Sequence, residues 1–496
     1  MKRQILPIEA LPAWTKLNGI SFNGVEVKRL VTDDGIDKGA STVTTCVKEA
    51  KEDSPEPEIL MVVPSDLVLS LEMVQTYAKS DRYLREVLDA VGEFGTATRG
   101  AILIFLLLLI THSQDIPQEG SQPENSHIGV SNPWSEYIKF LPESFTLPTF
   151  YTQEEIQLLQ GTSLMTALSA KLESLMREFD RLREATAEIP WCDRNWWNEE
   201  TGRITFNDWL LVDAMYRSRA LELPGTGHAM VPCIDMANHS SDKGIGAVYE
   251  VDADGNVVLQ LRWGQRLEAG EEVTITYGDE KGAAEMIFSY GFLEDDVDDA
   301  RQLFLDLDIP DDDPLKPAKR VACGDAPGVR IYSEPETSNV EWESGFVWWA
   351  CVNEEDGLEF RVLQSNDGKR ELKVFWKEKE ILASEQLLKA LKEDPMWDVF
   401  QLRATMIIQE RIDTQLSILQ QSQIAFQDSG NEKMTDEKIN RRTWETVMKL
   451  RELEGDFLIR ATQASEAKKN ELLESASVKS YLGIHAPGAE ISEDFS

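Results

Sequence analysis

Residues Val231–Ser240 read VPCIDMANHS, Gly270–Gly278 read GEEVTITYG, and Ser289–Phe292 read SYGF. Each segment has a plain structural reading when taken alone. Asn238-His239-Ser240 makes a turn, Tyr277 ends a strand, and Tyr290-Gly291 closes a helix with its capping glycine. Their joint occurrence, in this order, carries more than any one of them.

Around these segments the pattern is β-rich. Gly246 to Glu250, Val257 to Arg262 and Glu272 to Tyr277 read as strands separated by Asp254-Gly255-Asn256, a hairpin turn, and Ala269-Gly270. Residues 14–70 also read as short strands: Gly24 to Leu30 alternates, Asp33-Asp34-Gly35 is a turn, Lys51 to Glu58 is an exposed loop, and Ile59 to Val63 is β-rich. Between these regions, Ser65 to about Ser218 turns helical, with three-to-four spacing in Leu164 to Leu182 and Trp209 to Tyr216. Ser113 to Pro133 is polar and aperiodic, a surface loop. Ala101 to Ile110 is apolar throughout but is only half the ~20 residues a bilayer span needs, which predicts a buried core helix and no membrane association. After Phe292, an acidic stretch from Glu294 to Asp313 marks a lobe boundary, and amphipathic runs at Ser384 to Ser422 and Lys433 to Leu473 predict helices.

A chain of 496 residues exceeds what one hydrophobic core holds and predicts at least two lobes. Its 88 acidic against 50 basic residues give a net charge of −38, which repels phosphate backbones. Direct nucleic-acid binding is thus disfavoured, and a basic protein partner, such as a ribosomal protein, suits the field. The five cysteines form no C-x-x-C or C-x-C pair, so no metal site is expected. Met1 to Ala10 lacks an apolar run, and the expected setting is cytoplasmic or nuclear. No P-loop, dinucleotide fingerprint, nucleophile elbow or H-E-x-x-H is present, which leaves the common nucleotide and hydrolase chemistries unsupported.

Together the three opening segments resemble the SET-domain protein methyltransferases, in which an Asn-His-Ser segment threads a pseudoknot beside a segment ending in Tyr-Gly. The resemblance covers most of residues 14–300. It narrows to the branch typified by the plant Rubisco large-subunit lysine methyltransferase through Arg217-Ser218-Arg219, Trp134 to Pro142 (WSEYIKFLP) and Leu159 to Ser163 (LQGTS). Arg451-x-Leu453-Glu454-x-x-Phe457-Leu458 is similar to the C-terminal substrate-binding lobe of the same branch. The implied fold is α+β: a SET domain at 14–293 with a β-rich pseudoknot core and a helical insert at about 70–218, then a mainly helical lobe at 294–496.

The implied activity is transfer of a methyl group from S-adenosylmethionine to a lysine side chain of a non-histone protein. No cysteine cluster follows Phe292, which removes the zinc-bearing element of many histone-directed relatives. Methyl transfer is an in-line displacement that needs two reactants held collinear and a neutral amine. A lysine pKa near ~10.4 is lowered by loss of water and by a neighbouring sulfonium, so a dedicated strong base is unnecessary. A tyrosine hydroxyl and main-chain carbonyls suffice to orient methyl and amine. The resemblance assigns that catalytic role to Tyr277. It assigns cofactor contacts to Lys38, Gly39, Ala40, Arg219, Asn238, His239 and Tyr277, and a substrate-lysine channel to Asp235, Tyr290 and Phe292.

One departure concerns the cofactor loop, where the family shows Gly-x-Gly and this chain has Gly39-Ala40-Ser41. Two further readings stay open: methylation of a histidine, which needs a hydrogen-bond partner for the second ring nitrogen, and a silent SET scaffold that only binds, which Ser41 keeps alive.

Overall fold

The computed structural model describes residues 3–31, 37–51, 56–112, 128–200, 202, 204–241, 244–278, 280–335, 337–364, 370–428 and 439–483. The expected turn at Asp33-Asp34-Gly35, residues 52–55 of the expected loop and residues 113–127 lie outside them. The chain divides into two units. One comprises Met1–Tyr151, Leu168–Glu280 and Phe288–Glu294, and the other Thr152–Ala167, Lys281–Ile287 and Asp295–Ser496. The last passage between units falls after Glu294, and two short upstream segments also belong to the second unit.

In the first unit the described strands are β1 (Ser21–Phe22), β2 (Val25–Val31), β3 (Asp37–Thr44), β4 (Lys48–Glu49), β5 (Ile59–Val63), β6 (Ala220–Leu223), β7 (Gly227–Met230), β8 (Ala247–Val251), β9 (Val257–Leu261) and β10 (Arg266–Leu267). They form antiparallel sheets in the orders β1-β5-β9-β8, β2-β3, β4-β10 and β6-β7. β9 lies between β5 and β8 and is buried at every position, so both its faces are covered, which accounts for its near-continuous apolar sequence. Asp252 N donates to Asn256 O, and Gly255 takes a φ of +83°, closing the β8–β9 hairpin as the turn residues predict.

Glu272 to Tyr277, expected as a strand, is not a regular one. Its backbone bonds are divided between neighbours on two sides, so no single partner runs along it. Val273 N donates to Thr42 O at 2.8 Å, whereas Ile275 N donates to Asn238 O at 2.9 Å and Thr274 O accepts from Ala247 N. Only an antiparallel bridge, Val43 to Glu272, and a parallel bridge, His239 to Ile275, remain. This is the crossing of segments that the resemblance implies, with 238–240 drawn alongside 272–277.

The insert between the strands is helical from Leu71–Ser80 to Phe206–Arg219. Its central helix, Thr98–His112, is buried from Gly100 to Thr111. A helix apolar on all sides must be enclosed on all sides, and Tyr77 stacks on Phe105 at 5.2 Å as part of that enclosure. Among the described residues no helix is long and apolar enough to cross a membrane.

The second unit is helical but also carries two three-stranded sheets. They are β11 (Gln302–Asp306), β12 (Gly328–Ser333) and β13 (Val340–Glu343), and β14 (Leu358–Gln364), β15 (Arg370–Trp376) and β16 (Lys379–Ile381). β11 lies inside the acidic stretch; Leu303 and Leu305 point inward while Phe304 and Asp306 are exposed. The amphipathic runs form Ser384–Lys392, Trp397–Asp428 and Arg441–Leu473, the first two separated at Asp394-Pro395. Two motifs read separately in the sequence prove to be partners here. Arg451 donates to the carbonyls of Leu158, Gln160 and Leu419, and Glu454 accepts from Ser163 N at 2.8 Å and Ser163 Oγ at 2.6 Å. Burial lowers the Arg451 guanidinium to about 10 and raises the Glu454 carboxyl to about 7.

Candidate active site

The crossing of 238–240 with 272–277 fixes the central group. Tyr277 donates its backbone N–H to His239 Nδ1 at 3.1 Å and its hydroxyl to Ala237 O at 2.9 Å. The His239 and Tyr277 rings lie 5.2 Å apart and nearly parallel. Because Nδ1 accepts, the neutral ring carries its proton on Nε2, which faces Glu294 Oε2 at 3.7 Å. Burial pushes the Tyr277 phenol well above its ordinary value, so it stays protonated.

Tyr290 and Phe292 join this group. The Tyr290 ring stands 4.4 Å from that of Tyr277, its hydroxyl lies 3.4 Å from Tyr277 O, and Phe292 is 6.3 Å from His239. Gly291 between them takes a φ of +83°, and a Cβ there would meet Thr146 O at 2.8 Å, so the backbone bends only as glycine. Arg217 tethers this segment to the helix Phe206–Arg219. Its guanidinium covers the Phe288 ring at 4.6 Å and donates to Phe288 O and Thr149 Oγ1. Asp213 anchors the same helix end. Burial alone would raise its carboxyl, but Lys171, Arg217 and Arg99 together hold it below the ordinary value.

Asp235 differs from its expected place in the substrate channel. Its side chain is 0% exposed, so it has no surface to offer a substrate. The carboxylate instead accepts from the Tyr137 hydroxyl and lies 3.4 Å from Arg219 Nη1, which also donates to Asp235 O at 2.8 Å. Burial raises the Asp235 carboxyl even with these partners present. The Tyr137 oxygen also accepts from Cys233 N at 2.8 Å. Cys233 has a φ of +70°, a conformation costing about 1–3 kcal/mol for a residue with a Cβ. Tyr137 thereby pins the turn from which Ala237 and Asn238 emerge.

The loop residues meet the same site through Glu272. Its carboxylate accepts from Asn238 Nδ2 at 2.7 Å and Ser41 Oγ at 2.5 Å, and pairs with Lys38 Nζ at 3.1 Å. Lys38, Gly39 and Ala40 lie in β3, paired with β2. Gly39, not residue 41, takes the positive φ, +78°, and nothing stands within 4 Å of where its Cβ would be. Ser41 is buried in register with Lys28, in extended backbone that any residue adopts.

No protein-family model matches the chain. SET domain-containing protein 8 of Schizosaccharomyces pombe is 28% identical over 364 residues, 72% of this chain and 77% of that protein. The fructose-bisphosphate aldolase lysine N-methyltransferase of Arabidopsis thaliana is 29% identical over 188 residues, and the actin-histidine N-methyltransferase of Xenopus tropicalis 23% over 307. The matched segments span less than half of these two relatives, 38% and 46% of their lengths. The solved SET domain of LSMT bound to lysine and AdoHcy superposes with a TM-score of 0.60 at 19% identity, covering 97% of each chain. The chain has the SET-domain fold. Within that SET fold, Tyr277, His239, Tyr290 and Phe292 form one aromatic group, and Asn238, Lys38 and Ser41 another around Glu272. Asn238 and His239 are consecutive, and each is bonded into one of the two groups, so the groups adjoin. Three positions that the sequence reading left unassigned hold these groups in place: Glu272, Tyr137 and Arg217. Glu272 and Arg217 lie inside segments quoted for their motifs, and Tyr137 inside WSEYIKFLP, yet only the fold shows what each side chain holds.

Proposed function

We propose that this chain is an S-adenosylmethionine-dependent protein methyltransferase that methylates a lysine side chain of another, non-histone protein. The carrying observation is Tyr277, its hydroxyl fixed on Ala237 O and its ring against Tyr290 and His239. Relatives named as protein methyltransferases support methyl transfer to protein.

The residues present fit the methyl donor. Arg219 Nε is buried and has no hydrogen-bond partner among the described residues, and with the half-exposed Lys38 ammonium it offers positive charge to a carboxylate. Gly39 leaves open space beside the backbone, and Asn238 and His239 would hold the amino-acid end. When bound, S-adenosylmethionine supplies an electrophilic methyl group on a positively charged sulfur.

The chain's own residues supply position. Tyr277 remains a neutral phenol, and with its proton committed to Ala237 O its oxygen is left as an acceptor for a C–H or N–H donor. Tyr290 and Phe292 confine an alkyl-ammonium stem and exclude water, which favours the neutral amine. The −38 charge supports a basic substrate, and five free cysteines support a cytosolic or nuclear setting.

A second reading, histidine methylation, is favoured by the 23% identity to the actin-histidine enzyme. Incubation with labelled S-adenosylmethionine and a cell extract, followed by mass spectrometry of labelled proteins, separates the two. Label on lysine is expected; label confined to histidine selects the second reading, and no label on any protein contradicts both.

A further inference from the structure

The second unit contains a groove of 830 Å³, with β13 among its walls, that the methyl-transfer chemistry does not use. Three indoles run along it in a row: Trp342 is 5.6 Å from Trp348, and Trp348 is 5.1 Å from Trp397, with ring planes 38° and 32° apart. Trp342 stands in register with buried Ile331, and both it and Trp397 are half-buried, so their rings keep accessible surface. The same walls carry five carboxylates against two lysines, and one of these, Lys468, already pairs with Glu471 at 3.0 Å. Asp325, Glu341 and Glu385 are exposed and have no ion pair among the described residues.

Carboxylates alone attract any cation, and indole faces alone accept any apolar group. The combination selects a cation on a flat or alkyl body, which describes a guanidinium on its stem, since it stacks on indole and sheds water readily. The volume exceeds one side chain and suits a stretch of chain rather than a small free cation. We infer that this groove binds an arginine-bearing basic peptide segment of a partner protein, with a guanidinium on the half-buried Trp342 indole, which buried Trp348 backs, and its charge met by Glu341 and Glu385. The site lies wholly within the second unit and stands independently of the methyl-transfer reading.

The test uses the full chain and two short fluorescent peptides, one of Arg, Gly and Ser and one with Glu in place of every Arg, followed by anisotropy. A chain of charge −38 attracts basic peptides everywhere on its surface, so groove variants carry the decision. Saturable binding of the Arg peptide and none of the Glu peptide is expected. Trp342→Ala, and separately the exposed pair Glu341→Gln with Glu385→Gln, are each expected to weaken it about fivefold or more, with circular dichroism unchanged. Absence of saturable binding by the wild type, or wild-type affinity in either variant, overturns the inference. The Gln pair keeps the test decisive if Trp342→Ala fails to fold.

Discussion

The Asn238 side-chain amide donates to Glu272 Oε1 at 2.7 Å, and Ser41 Oγ donates to the same oxygen at 2.5 Å. One carboxylate thus joins the Asn-His segment to strand β3, and Ser41 is a partner in that joint.

Ser41→Gly is therefore expected to destabilise the chain. It removes a hydrogen bond to a charged acceptor and adds backbone freedom inside β3, a loss of about 1–2 kcal/mol. Urea denaturation measures it. Unchanged or increased stability would show that the Ser41–Glu272 contact contributes nothing.

Tyr137→Phe leaves the buried Cys233 N–H without its partner and removes the hydroxyl donor to the buried Asp235 carboxylate, which keeps Arg219. A destabilisation of about 2–4 kcal/mol is expected. A variant as stable as wild type by the same denaturation would remove Tyr137 as the pin of the Cys233 turn.

Glu454 sets a pH dependence in the second unit. Its carboxyl titrates at about 7 when folded against an ordinary 4.5, so between these values the folded chain binds the proton that the unfolded chain has released. The contribution of this site is largest below about pH 4.5, falls by about 3 kcal/mol as pH rises to about 7, and is flat above. The stability of wild type relative to Glu454→Gln, measured by denaturation from pH 5 to pH 8, is expected to decline with pH. A constant difference would contradict the assignment.

Much of this was legible in the sequence where periodicity or turn chemistry dominates. Ala101 to Ile110 is apolar on every side and forms the enclosed helix, and Asp254-Gly255-Asn256 closes the β8–β9 hairpin. Glu272 to Tyr277 alternates like a strand, but alternation reports burial and not partners, and here the partners change sides midway. Asp235 shows the same limit: a carboxylate in a motif looks available for chemistry until Tyr137, about a hundred residues away in sequence, is seen to cover it. Side-chain joints between distant segments, such as Glu272 with Lys38 and Ser41, leave no periodic trace.

The central claim is that Tyr277 orients methyl transfer to a protein side chain. The most direct measurement compares wild type with Tyr277→Phe in transfer of label from S-adenosylmethionine to protein in a cell extract, with calorimetric titration of the same cofactor alongside. The account predicts retained cofactor binding and a rate lowered on the order of 100-fold or more. Equal labelling by both proteins would contradict it.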